Sequence, residues 1–331
     1  MHEYSILKTK PGNDYALLDS GDGEKLERYG EVTVARPDPQ ALWKKRLSES
    51  EWQKADAYFR SENGGDRSRP VPTATWQTRK KLPERWPVDL AGFKLWIKLS
   101  AFKHTGVFPE QVGNWEWIGE KIKKTRKQEN KARPLPDLPF AKGRGNATSS
   151  TAGEEAGGGL VRVLNLFGYT GGASLAAAKA GAEVVHVDGS KVAIGWARDN
   201  AMLSGLENKP IRWILDDARA YVKREVKRGN KYDGIIMDPP AFGHGAKGEL
   251  WKVEDHFLEL LDVCKQVLSD QPLFFLINGY ASGYSAISYK NNLADLMKEY
   301  KGEIEIGELT IAEKGSERLL PAGIFARWSK E

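Results

Sequence analysis

Cysteine is all but missing: Cys264 is the one thiol in 331 residues. No intrachain disulfide can form, so a packed core has to hold the fold, and a reducing, cytoplasmic setting is expected. Long apolar runs are missing too. No stretch approaches the roughly 18 residues that cross a bilayer. The opening MHEYSILKTKPGNDY lacks the basic-then-apolar order of a secretion signal, so no membrane partner is expected. Internal repeats are absent. A strong charge imbalance is absent as well. The net charge of +5 suits a nucleic-acid partner, but a small-molecule enzyme can be equally basic. What is present is ordinary. A hydrophobic share of 40% supplies a normal core, and the length allows one large domain with a smaller companion.

Three zones follow one another. Residues 1–99 are rich in tryptophan, glycine and proline. Tyr15 to Tyr29 reads as strand, turn and strand around the turn residues Ser20-Gly21-Asp22-Gly23. Glu31 to Pro37 and Gly92 to Phe102 alternate with period two. A small, mainly β accessory domain is expected there, with long loops over Asp56 to Arg85. The second zone begins a domain running from 100 to 331. A helix is expected from an Asn114 cap, with Trp115, Ile118 and Ile122 on one side. From about 125 to 159 the chain turns to glycine, serine and charge, which predicts a flexible insertion. The third zone, from Leu160, alternates strand and helix patterns and ends in a hairpin pattern. The predicted fold is α/β: a Rossmann-like, doubly wound, mostly parallel sheet with an antiparallel edge hairpin, plus the small N-terminal β domain.

The chemistry starts at Val163 to Ser190. An apolar strand pattern runs into Phe167-Gly168-Tyr169-Thr170-Gly171-Gly172-Ala173, then a small-residue helix, then a second strand ending at Asp188. A glycine turn between strand and helix lets backbone approach a ligand and aims helix N–H groups at it. A nucleoside triphosphate loop would need GxxxxGK[ST], and no lysine follows these glycines. A dinucleotide turn would read GxGxxG, whereas the spacing here is GxxGG. Asp188 stands where a carboxylate grips ribose hydroxyls. Asp216 and Asp217 end the third strand, where one can cap the next helix and the other face an adenine amino group; the sequence does not apportion the two tasks. The fourth strand ends in Asp238-Pro239-Pro240-Ala241-Phe242. Ligands in such sheets bind beyond the strands' carboxyl ends, so these groups converge. Prolines hold backbone carbonyls rigid and free, which positions a nucleophile in line with a methyl group. An aromatic behind them, Phe242, can stack on a base. S-adenosylmethionine is therefore the expected cofactor, and nothing calls for a metal.

With these residues in hand, the chain resembles the class I S-adenosylmethionine-dependent methyltransferases, and within them the bacterial group of 23S ribosomal RNA large-subunit methyltransferases. The matching positions are Leu164-Asn165-Leu166-Phe167-Gly168-Tyr169-Thr170-Gly171-Gly172, Val187-Asp188-Gly189-Ser190, Asp216-Asp217-Ala218, and Asp238 to Phe242. Thr105 to Gln111 resembles the segment that precedes the core in that group, which implies cofactor contacts for Phe108 and Gln111. The resemblance implies that Asn165 and Phe167 to Ala173 surround the methionine part. It implies Asp188, Gly189 and Ser190 at the ribose, and Asp216, Asp217 and Ala218 at the adenine. Asp238, Pro239, Pro240 and Phe242 would form the catalytic floor.

Members that make 5-methylcytosine attack the ring with a cysteine thiolate at the end of the fifth strand. That stretch here, Phe275 to Gly283, has none, and Cys264 lies in an apolar helix pattern. The expected reaction is direct attack by a base nitrogen, with RNA, ribosomal RNA above all, as partner. Two rivals stand beside it: a protein or small-molecule acceptor, and a binding module that has kept the fold without catalysis.

Overall fold

The computed structural model describes residues 4–61, 74–100, 103–132, 160–280 and 283–330. In chain order its first elements are β1 (Tyr4–Thr9), β2 (Tyr15–Gly21), β3 (Glu24–Tyr29), β4 (Val32–Pro37), the short α1 (Glu49–Trp52), β5 (Ala57–Ser61), β6 (Ala74–Thr78), β7 (Trp86–Leu90) and β8 (Phe93–Ile97). A 3-10 turn at Pro109–Gln111 leads into α2 (Val112–Ala132). Then come β9 (Arg162–Leu166), α3 (Gly172–Lys179), β10 (Glu183–Asp188), α4 (Lys191–Leu203), β11 (Ile211–Leu215), α5 (Ala218–Arg228) and β12 (Gly234–Met237). The chain closes with the small hairpin β13 (Phe242–His244) and β14 (Leu250–Lys252), α6 (Val253–Gln266), β15 (Phe274–Gly279), α7 (Ala286–Met297), β16 (Glu303–Ala312) and β17 (Leu319–Ser329). None of these helices is long and apolar enough to cross a membrane.

The aliphatic runs decide the centre. Val163, Leu164 and Leu166 on β9 and Ile235 to Met237 on β12 are all buried, which only a strand covered on both faces can achieve. The large sheet has the order β1-β16-β17-β15-β12-β9-β10-β11. Strands β9, β10, β11, β12 and β15 run parallel. The pair β16 and β17 is antiparallel, and β17 is antiparallel to β15. This is the Rossmann-like sheet with its antiparallel edge pair. Because β10 and β12 flank β9 on opposite sides, successive crossovers part there and leave a crevice at the strands' carboxyl ends.

Three local expectations are corrected. The first strand, β1, was grouped with the N-terminal β region, but it pairs parallel with β16 in the large sheet. Within the stretch expected to be long loops, β5 and β6 pair antiparallel and extend the sheet β2-β3-β4-β5-β6. The helix expected from Asn114 starts at Val112, after Pro109 has already set the first turn. Asn114 is not a cap. It is buried, giving Nδ2 to Gln111 and Asn278 and accepting from Arg327. The helix then runs on to Ala132, into the segment expected to be flexible from 125, because the lysine, arginine, glutamine and glutamate there are good helix formers. The rest of that segment, 133–159, lies outside the described residues.

The N-terminal strands share a core with the large sheet's helices. Tyr15, Leu17, Tyr29 and Val34 pack in one cluster with Trp115 of α2, Leu175 of α3, Ala201 of α4 and Leu320 of β17. Backbone also joins them, as Lys314 N–H donates to the Leu17 carbonyl at 2.7 Å. This packing turns the polar face of β3 and β4 toward the mouth of the crevice.

Candidate active site

The glycine turn between β9 and α3 is conformationally expensive. Phe167 (φ 57°) and Tyr169 (φ 48°) are both left-handed without being glycine, and Gly171 (φ 95°) caps α3. Each such residue costs on the order of 1 kcal/mol. Neighbouring elements hold the turn in place. Gly168 N–H donates to Val187 and Tyr169 N–H to Asp188 Oδ2, at 3.0 and 2.8 Å. Thr170 Oγ1 donates to the Gly106 carbonyl, and Asn200 Nδ2 to the Thr170 carbonyl. Beneath it, Asn165 donates to Ser174 Oγ, which in turn meets His186 Nδ1 at 2.9 Å. Burial pushes that imidazole down to about 3, so it stays neutral.

The packing leaves no room for a side chain at two glycines. A Cβ on Gly172 would lie 2.2 Å from the Trp115 ring, and one on Gly168 2.4 Å from the His186 ring. Gly168→Ala should therefore lower stability by roughly 1–3 kcal/mol, the usual cost of overpacking, read as a lower urea midpoint at unchanged m-value. An unchanged midpoint would mean that the ring swings aside freely and that the turn is not tightly packed.

The acids take different positions. Asp188 accepts from Tyr169 N–H and, through Oδ1, from Ser190 N–H at 2.8 Å. Burial raises its carboxyl and these two bonds oppose the rise. The apportioning of Asp216 and Asp217 is now visible. Asp217 caps α5, its Oδ1 accepting from Ala220 N–H at 2.9 Å, while Asp216 is ion-paired with Arg224. Asp238 is mostly buried and accepts from Gln111 Nε2 at 3.1 Å. Burial alone pushes it up to about 6. Of the two proline carbonyls expected to be free, that of Pro240 is taken by the Trp251 indole N–H at 2.6 Å.

These groups open onto one cleft of about 590 Å³ with a narrow extension of about 60 Å³. The cleft is lined by Phe108, Gln111, Phe167, Tyr169, Asp188, Gly189, Ser190, Asp216, Asp217, Ala218, Asp238, Pro239 and Pro240. Asn165, Gly168, Thr170, Gly171, Gly172 and Ala173 line the extension. Phe242 is the candidate left out: it lines neither space, is 56% exposed and packs edge-on against His244. Cys264 is buried in the core away from the cleft, and burial drives its thiol far above the ordinary range.

Sequence reasoning missed most of the opposite wall. Lys25 and Arg36 of the N-terminal sheet and Asp38 just past β4 reach the cleft, joined by His104 and Tyr280; Glu110, within the Thr105 to Gln111 segment already singled out, lines it too. Behind them Glu27 is fully buried, accepting from Arg36 Nε at 2.6 Å and from the Tyr15 and Tyr29 hydroxyls. Burial pushes Glu27 up, but the charges of Arg36 and Lys25 outweigh it and hold the carboxyl at about 2. Charges at alternate strand positions ordinarily mark a solvent face, so no local signal distinguished these.

A family model described as S-adenosylmethionine-dependent methyltransferase matches residues 147–284. The solved structure of an S-adenosylmethionine-dependent methyltransferase from Agrobacterium tumefaciens is 38% identical, with a TM-score of 0.82, over 100% of this chain and 95% of that one. Ribosomal RNA large subunit methyltransferase I of Aeromonas salmonicida is 45% identical over 82 residues, 24% of this chain and 21% of that protein. Ribosomal RNA large subunit methyltransferase K of Neisseria meningitidis serogroup B is 23% identical over 264 residues, 79% of this chain and 64% of that protein. The chain thus spans less than two thirds of either ribosomal RNA enzyme.

Proposed function

Since the chain belongs to the S-adenosylmethionine-dependent methyltransferases, we propose that it methylates a base nitrogen in RNA, ribosomal RNA foremost, by direct in-line transfer. The observation that carries this reading is the convergence of the left-handed glycine turn, Asp188 and Asp238-Pro239-Pro240 on one cleft of about 590 Å³. That volume lies within the roughly 300–1,000 Å³ of small-molecule sites. The ribosomal RNA relatives and the net positive charge support the choice of acceptor.

The residues fit the cofactor. Backbone of Phe167 to Ala173 lines the end suited to the methionine part. Asp188 retains lone pairs beyond the two its backbone donors use, enough to accept from ribose hydroxyls. Asp216 is committed to Arg224, so the adenine edge falls to the second oxygen of Asp217 and the N–H of Ala218. When bound, S-adenosylmethionine supplies a methyl group on a sulfonium, a leaving group that needs no further activation. The chain's task is then positioning. Asp238 accepts a hydrogen bond from the acceptor's N–H, and Gln111 keeps that carboxylate in place. The Pro239 carbonyl, held rigid between proline rings, is a second acceptor beside it. Asp238 Oδ then takes the proton that the methylated nitrogen releases.

Tritiated S-adenosylmethionine tests this directly. The enzyme is incubated in parallel with total RNA, ribosomal subunits, protein extract and small metabolites, with Asp238→Ala as control. Label is expected in RNA and should drop about 100-fold or more in the variant. Label confined to protein or metabolites would overturn the RNA reading.

A further inference from the structure

The wall facing the cofactor side of the cleft is built from charge. Lys25 on β3 and Arg36 on β4 are register partners in adjacent strands, and both line the cleft. Arg36 has four of its five donors engaged: Nε and Nη2 hold Glu27 and the Tyr29 hydroxyl, and Nη1 holds the Lys103 carbonyl at 3.2 Å. Lys25 is less committed. Its ammonium has three donors and one carboxylate at hydrogen-bond distance, Asp38 at 3.1 Å, with Glu27 further off at 4.0 Å. Across from them Glu110 sits on the 3-10 turn, 8% exposed and lining the same cleft. Among the described residues no other residue hydrogen-bonds its carboxyl. Its own backbone N–H is a donor to it, and a carboxylate has about four acceptor sites, so lone pairs remain for a ligand donor in the cleft. The next residue, Gln111, is the one that holds Asp238. One turn therefore carries both the anchor of the reacting floor and a residue that lines the same cleft.

Resting on the nucleobase reading above, the geometry points to Glu110 and Lys25 as the pair that selects the acceptor: Glu110 accepts from an N–H of the base, and Lys25 donates to the oxygen beside it. The recognised edge is that of a lactam, an N–H adjacent to a carbonyl. Neutral adenine and cytosine do not present that pattern. Charge supports the pairing, since burial pushes the Glu110 carboxyl up to about 7 and Lys25 is the main cation opposing the rise. The N-terminal β sheet acquires a task by the same argument: it brings the donor half of the recognition pair.

The test separates acceptor from cofactor. Glu110→Gln, Glu110→Ala and Lys25→Met are assayed with tritiated S-adenosylmethionine on total RNA, and the affinity of each for S-adenosylhomocysteine is measured by calorimetry. Each should lower kcat/KM for RNA by about 10- to 100-fold, chiefly through KM, as for a lost hydrogen bond to a charged group. The calorimetric Kd should stay within about 2-fold, which also certifies that the variant is folded. Nuclease digestion of the wild-type product should place the label on guanosine, the base with a lactam N–H for Glu110 and a separate exocyclic N–H for Asp238. Label on adenosine, cytidine or uridine overturns the inference. So does a Kd that rises while the acceptor KM holds, because the pair would then belong to the cofactor. If wild-type enzyme labels protein or metabolite instead, the RNA reading fails on its own. The same split of KM against Kd on that acceptor then supports or overturns the assignment of Glu110 and Lys25.

Discussion

Asp238→Asn should give a protein that is more stable at pH 7.5 and almost inactive. Burial raises this carboxyl from 3.8 to about 6, so the native state keeps its proton where the unfolded chain has already released it. Between those values the unfolded chain binds fewer protons, and stability falls as pH rises. Above about pH 6 the full penalty remains. At 1.36 kcal/mol per unit, reduced for the side open to the cleft, it is on the order of 2 kcal/mol. Asparagine keeps the shape, and an oxygen for Gln111, without the charge. Its melting temperature should exceed the wild type's by a few degrees at pH 7.5, and the gain should shrink toward zero near pH 4. Glu110, pushed up to about 7, titrates in both proteins and cancels in the comparison. Activity should fall about 10²–10⁴-fold, the usual worth of a positioned acid–base group, with affinity for S-adenosylhomocysteine kept. Equal melting temperatures at both pH values would mean that burial does not penalise the charged form of Asp238. Retained activity would remove it from the reacting floor.

The parts of this site that were legible lay on continuous, locally patterned chain. The aliphatic runs of β9, β10 and β12 announce a strand buried on both faces, and the glycine spacing of 168–172 announces a turn that admits a ligand. What escaped depends on partners distant in sequence. Lys25 and Glu27 alternate on β3, with Arg36 on β4 and Asp38 just past it, a pattern that reads as a solvated face until the tertiary packing is formed. The pairing of β1 with β16 joins residues about 300 apart, and nothing in the YSILKT strand encodes its neighbour. Asp216 and Asp217 are adjacent, and only the phase of α5 decides which one caps it. Phe242 carries the right chemistry for stacking on a base, but the hairpin with β14 carries its ring outward. Tyr280, which follows β15, supplies an aromatic to the cleft instead.

Asp188→Ala should weaken binding of S-adenosylhomocysteine more than any other single truncation in the cleft. The carboxylate has two functions. It would accept from the ribose hydroxyls, and hydrogen bonds to a charged group are worth about 1.5–3 kcal/mol. It also ties down Tyr169 N–H at 2.8 Å, in a residue whose left-handed backbone costs on the order of 1 kcal/mol and persists only because its surroundings hold it. Removing the carboxylate forfeits the first contribution and releases the second, so the bound state must reorder the turn. Together these predict a Kd raised about 10²–10³-fold by calorimetry. Asp188→Asn offers one oxygen where the native residue offers two, so it can serve Tyr169 or Ser190 but not both, and should fall between alanine and wild type. Asp217→Ala separates the two functions from another direction. It removes the α5 cap, which costs about 1 kcal/mol of stability, but leaves the Tyr169 turn intact, so its loss of affinity should be smaller than that of Asp188→Ala. If Asp188→Ala binds within about 3-fold of wild type, neither the ribose contact nor the bracing of the turn contributes to affinity, and the ribose is held by the backbone of Gly189 and Ser190.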